Sequence, residues 1–126
     1  MDIYIVEDDK VLTLILTKML EKLNCNVAGL SDTGKDAIET ILTKRPPVIL
    51  MDIFLKDEIS GIDVSEEITS HYSPYIIYIT GNSDKANKER ASKIGFHDYL
   101  IKPVTLDMLQ KTIDSLPSRN GTTETP

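Results

Sequence analysis

The residues able to do chemistry are few and widely spaced. Glu7-Asp8-Asp9 follow the apolar run Ile3-Tyr4-Ile5-Val6, and Asp52 ends the run Val48-Ile49-Leu50-Met51. Thr80 ends Tyr75-Ile76-Ile77-Tyr78-Ile79, and Lys102 follows Tyr99-Leu100-Ile101. Each polar group thus closes a short β-prone stretch. A carboxylate can serve as a hard-oxygen metal ligand or as a nucleophile, and an ammonium can neutralise an anion. Such chemistry requires these groups to meet, so it rests on the elements that carry them.

Pro46 and Pro47 block a helix before Val48. Four apolar residues running straight into an acid suit a strand buried on both faces, as in a parallel sheet. Asp52 then lies at the carboxyl end of a central strand, the edge of an open α/β sheet where ligands bind. Residues 2–6 read as a first strand. From Val11, the residues Leu12, Ile15, Leu16, Met19, Leu20 and Leu23 recur at helical spacing, with Asp8 or Asp9 placed to cap the helix. Residues 24–30 read as a second strand, and 36–44 as a second helix carrying Ala37, Ile38, Ile41 and Leu42.

A mostly polar loop follows Asp52. Gly61 opens a third helix with Val64 and Ile68 inward, ending near Pro74. Residues 75–79 form a fourth strand. Residues 83–94 form a charged, weakly apolar helix stopped by Gly95, and its run of charges reads as a solvated face. Residues 97–101 give a fifth strand, and Leu106, Leu109, Ile113 and Leu116 mark a last helix. Five alternations of strand and helix predict a doubly wound parallel sheet between two helical layers, with right-handed crossovers.

Composition sets the frame. The chain has 126 residues, 40% hydrophobic and 27% charged, which fits one globular domain with its own core. Residues 1–117 are expected to form it. Residues 118–126 lack a large apolar side chain and read as a flexible tail or the start of a linker. No apolar run approaches the ~20 residues that span a bilayer, and no basic region or cleavage site follows Met1, so neither membrane nor secretion is expected. The single cysteine, Cys25, excludes an internal disulfide and fits a reducing cytoplasm. A diffuse net charge of −6 argues against a nucleic-acid-binding surface.

In a parallel sheet the carboxyl ends of the strands share one edge, so Glu7, Asp8, Asp52, Thr80 and Lys102 should converge. Two carboxylates about 4 Å apart repel by about 4 kcal/mol at an effective dielectric of about 20, which is roughly three pKa units. Three acids this close need a proton, a cation or both, and Lys102 supplies one positive charge. A divalent ion is the natural remainder, and a small set of oxygen ligands favours magnesium, with manganese as its substitute.

These pieces, taken in order, resemble the receiver domain of response regulators in two-component signalling, over residues 2–116. The resemblance rests on Val6-Glu7-Asp8-Asp9, Met51-Asp52-Ile53, Thr80-Gly81 and Tyr99-Leu100-Ile101-Lys102-Pro103. It implies a flavodoxin-like (βα)5 sandwich with strand order 2-1-3-4-5. It implies that Asp52 accepts a phosphoryl group from a phosphohistidine on a sensor histidine kinase or histidine phosphotransfer protein. Glu7, Asp8, Asp52 and the backbone carbonyl of Phe54 would hold the metal, and Asp9 would cap the first helix. Lys102 would pair with a phosphoryl oxygen, and the Thr80 hydroxyl would hydrogen-bond the phosphoryl group. Tyr99 would be the aromatic switch, moving inward with Thr80. The fourth helix, fifth strand and fifth helix would face an unidentified downstream effector, or a second copy in a dimer formed on phosphorylation. The domain would signal, catalysing only its own phosphorylation and dephosphorylation.

Three departures stand out. The loop Ile53-Phe54-Leu55-Lys56-Asp57-Glu58-Ile59-Ser60-Gly61 lacks the proline frequent in the family, and it is one residue longer than the commonest form. Phe96 stands after Gly95, where a small residue is more usual. Phe54 and Asn82 would flank the site and govern water access. Two rival functions differ in class. A phosphatase with an aspartyl nucleophile commonly needs a general acid two positions on, and Phe54 cannot donate a proton. An unphosphorylated interaction module on the same fold would not need the acidic pair and Lys102.

Overall fold

The computed structural model describes residues 1–81 and 85–117. Five strands, β1 (Asp2–Val6), β2 (Asn26–Ser31), β3 (Val48–Asp52), β4 (Tyr75–Thr80) and β5 (Asp98–Ile101), alternate with five helices. These are α1 (Lys10–Lys22), α2 (Gly34–Lys44), α3 (Gly61–Thr69), α4 (Lys85–Ile94) and α5 (Leu106–Asp114). All strand pairs are parallel and the order is β2-β1-β3-β4-β5. This is the doubly wound architecture expected from the alternation. Asn82, the start expected for the fourth helix, and the segment 118–126 lie outside the described residues.

The central strands are buried on both faces because their side chains alternate between two cores. Ile3, Ile5, Val48, Leu50, Ile77 and Ile79 pack against Leu16 and Leu20 of α1 and Leu109 of α5. Tyr4, Val6, Ile49, Met51, Ile76 and Tyr78 pack against α2, α3 and α4. β3 is buried at every position, as its unbroken apolar run requires.

The helices begin at side-chain caps. Asp9 Oδ1 accepts from the Val11 and Leu12 N–H groups (2.9 and 3.2 Å), so Asp9, rather than Asp8, caps α1. Thr33 caps α2, Thr105 caps α5, and Ser60 with Asp63 forms a reciprocal capping box on α3. Gly95 ends α4 at φ +97°, a conformation that glycine adopts without a Cβ penalty. The apolar spacing in α1 marks its inner face with one exception: Leu16 and Leu20 are buried and Leu12, Met19 and Leu23 pack against the same core, whereas Ile15 faces outward.

Candidate functional site

The sheet brings Glu7, Asp8, Asp52, Thr80 and Lys102 to its carboxyl edge, from the ends of four different strands. Asp52 ends β3 and is 4% exposed; Glu7 follows β1 and is equally buried, while Asp8 is half-buried. One oxygen from each of Glu7, Asp8 and Asp52 lies within 4.8 Å of the others. Lys102 follows β5 and reaches back into the cluster, with Nζ 3.4 Å from Asp52 Oδ2 and 3.2 Å from Glu7 Oε1. Its backbone N–H donates to the Thr80 carbonyl at 2.8 Å, which ties the ends of β4 and β5 together. Thr80 is fully buried.

The electrostatics follow from burial. Desolvation pushes the Glu7 carboxyl up to about 7, against the pull of the Asp9 N–H, which donates to Glu7 Oε2 at 3.0 Å. Burial also raises Asp52, with Lys102 and hydrogen bonds holding it down in part. Burial by itself would lower Lys102, but the charges of Asp52 and Glu7 outweigh that and leave it above the usual lysine value.

Glu7 Oε1 is buried, and the Lys102 ammonium 3.2 Å away is the positive charge it faces. Three carboxylates gathered around one ammonium leave room for a hard divalent cation. Three oxygen donors clustered at an open sheet edge suit magnesium, which keeps part of its water shell.

The loop from Ile53 to Ser60 is more ordered than its polar sequence suggests. At its base the Gly61 N–H donates to the Ile53 carbonyl at 2.7 Å. A Cβ on Gly61 would collide with the Asp52 carbonyl oxygen, so only glycine allows α3 to start this close to the acid. At its tip Asp57 accepts from the Gly34 and Lys35 N–H groups at 2.8 and 3.0 Å. Lys56 pairs with Asp32 at 3.2 Å, and Lys10 approaches the same carboxylate at 3.5 Å. Phe54 heads the loop two residues beyond Asp52 and is 52% exposed.

On the other side of the edge, Tyr99 of β5 sits in an aromatic cluster. Its ring centroid lies 5.9 Å from Tyr78 and 5.7 Å from Phe96, and Lys88 Nζ lies 5.3 Å over it. Its hydroxyl oxygen is buried. Phe96 packs against Tyr78 edge to face. Above this cluster, Arg90 of α4 bridges Asp63 and Glu66 of α3 at 2.7 and 3.3 Å. The charged run of α4 is therefore partly engaged, not wholly a solvated face.

Sequence reasoning missed Asp57 and Arg90. Their partners lie 23 and 27 residues away, and nothing local marks either contact.

The comparisons agree with this geometry. Residues 3–114 match the response regulator receiver domain family. The chain is 35% identical over 112 residues to the transcriptional regulatory protein CitB of Klebsiella pneumoniae, covering 87% of this chain and 47% of that protein. It is 29% identical over 117 residues to the transcriptional regulatory protein PdtaR of Mycobacterium tuberculosis, covering 93% and 57%. It spans about half the length of these curated relatives. The signal receiver domain of a modulated diguanylate cyclase from Desulfovibrio desulfuricans superposes with a TM-score of 0.83 at 31% identity, covering 90% of both chains. The receiver domain of sensor histidine kinase PA1611 from Pseudomonas aeruginosa, solved with magnesium coordinated in its active-site cleft, gives 0.79 at 29% identity, covering 90% of this chain and 93% of that one. An acidic cluster and a lysine at the carboxyl edge of a 2-1-3-4-5 sheet, together with these matches, place the chain in the response regulator receiver domain family of two-component systems.

Proposed function

We propose that this receiver domain takes a phosphoryl group onto Asp52 from a phosphohistidine on a sensor histidine kinase or phosphotransfer protein, and relays that event through α4, β5 and α5. The observation that carries the reading is a buried Asp52 carboxylate clustered with Glu7 and Asp8 and paired with the Lys102 ammonium, which also lies 3.2 Å from Glu7. Glu7, Asp8, Asp52 and the Phe54 carbonyl would hold magnesium, or manganese in its place. When bound, the ion supplies positive charge to the phosphoryl oxygens.

The chain's own residues do the rest. An Asp52 carboxylate oxygen attacks phosphorus in line with the phosphorus–nitrogen bond. That bond breaks, its electron pair stays on the imidazole nitrogen, and the product is an acyl phosphate on Asp52. Lys102 neutralises one phosphoryl oxygen from the position where it now pairs with Asp52. The Thr80 hydroxyl donates to another, and its movement alters the packing around Tyr99 and hence the surface of α4 and β5. Phe54 offers no acid to speed the loss of the phosphoryl group. Val11, Leu14, Ile15 and Leu30 expose apolar surface beside the acidic edge, which suits a protein donor more than a small ester. The altered face would engage a downstream effector or a second copy of the domain.

Incubation with a phosphohistidine donor and magnesium should give acid-stable, base-labile label. The label should vanish in Asp52→Asn. Full labelling of that variant would move the acceptor elsewhere and end the proposal.

A further inference from the structure

The loop from Ile53 to Ser60 is held at three points. At its base Gly61 closes onto Ile53. Along its length Ile59 presses on Gly34 so closely that a Cβ there would collide with it. At its tip the Asp57 carboxylate spans the gap to α2 and takes two backbone N–H groups of that helix's first turn, one on each oxygen. The partially positive helix terminus favours an anion at this position. The same hydrogen bonds, led by that from Gly34, hold the Asp57 carboxyl below the usual carboxylate range.

We infer that Asp57 is a positioning residue for the metal site: by strapping the acceptor loop to the start of α2, it fixes the backbone at Phe54 so that its carbonyl can complete the ligand set of Glu7, Asp8 and Asp52. This inference rests on the metal reading proposed above and adds to it a residue that touches neither metal nor phosphoryl group.

The test is magnesium binding to the full chain by calorimetry, with urea unfolding of each metal-free variant and amide hydrogen exchange alongside. Asp57→Ala should weaken magnesium binding by about tenfold, the lower end of the range for residues that orient metal ligands. Asp57→Asn, which keeps one good acceptor oxygen, should recover part of the loss, and Glu58→Ala should bind like the parent. Gly34→Ala, which displaces the loop from the other side, should also weaken binding. Exchange at the Gly34 and Lys35 amides should speed up in Asp57→Ala. An Asp57→Ala protein that unfolds more easily yet binds magnesium as tightly as the parent would make the strap merely structural and overturn the inference. A parent chain that binds no magnesium would overturn both this inference and the metal reading. Parental binding weakened only by Asp57 and Gly34 variants supports both.

Discussion

The two halves of the sheet's active edge are built differently. After β3, the chain is clamped: α3 buries Gly61, Ile62, Val64, Ser65 and Ile68, and its first residue lies against the backbone of Asp52. After β4, α4 buries Ala91 alone. A fully buried aliphatic side chain contributes about 1.5–3 kcal/mol, and a single methyl nearer 0.8 kcal/mol. Several such terms fix α3, whereas α4 fully buries only Ala91, with Ile94 partly covered, Lys88 over the Tyr99 ring and Arg90 paired with α3. The chemistry is thus attached to a rigid wall, and the surface proposed to report it hangs on weak contacts. On the proposed function, a modest free-energy change at the edge would move α4 more readily than α3.

The sharpest attack on the rigid half is Gly61→Ala. The added Cβ meets backbone, which cannot swing aside, so the variant should lose on the order of 1–3 kcal/mol in urea unfolding. A stable Gly61→Ala protein would mean that α3 is not clamped to Asp52.

The acid cluster offers a second test through pH. In the magnesium-free fold, Glu7 keeps its proton up to about 7, against an ordinary value of 4.5. Between those values the folded state binds more protons than the unfolded chain, so stability should fall as pH rises through that window. The raised Asp52 acts in the same direction. Urea midpoints in chelator, from pH about 5 to about 8, check the sign; a midpoint that rises with pH would show that Glu7 is not held protonated. Magnesium, binding the deprotonated acids, should flatten or reverse the slope.

Thr80→Ala probes the joint between the halves. Labelling of Asp52 should survive, while the response of α4 to the phosphoryl group should drop by roughly fivefold, the worth of one hydrogen bond of about 1 kcal/mol. An undiminished response would dissolve the proposed link from Thr80 to Tyr99. The smallest effect belongs to Arg90→Met. Both partners are more than a third exposed, so losing the bridge should cost at most about 1 kcal/mol, less in high salt. Amide exchange should quicken in α4 and stay unchanged in α3. Equal change in both helices would erase the contrast between them.

The alternation of elements and the order of polar endings were readable from the chain itself, because they are local properties. A doubly buried strand must be a short unbroken apolar run, an amphipathic helix repeats near every fourth residue, and a parallel sheet gathers strand ends along one edge whatever the details. Those rules were enough to collect Glu7, Asp8, Asp52, Thr80 and Lys102. The outward turn of Ile15 was not readable, since helical spacing marks an apolar stripe without saying which part of it a neighbour covers. Nor was the work of Asp57 or Arg90. An acid in a polar loop and a base in a charged helix look the same in sequence whether they face water or a partner. Only folding, which sets α2 beside the loop after Asp52 and α4 beside α3, decided that these two charges meet partners rather than water.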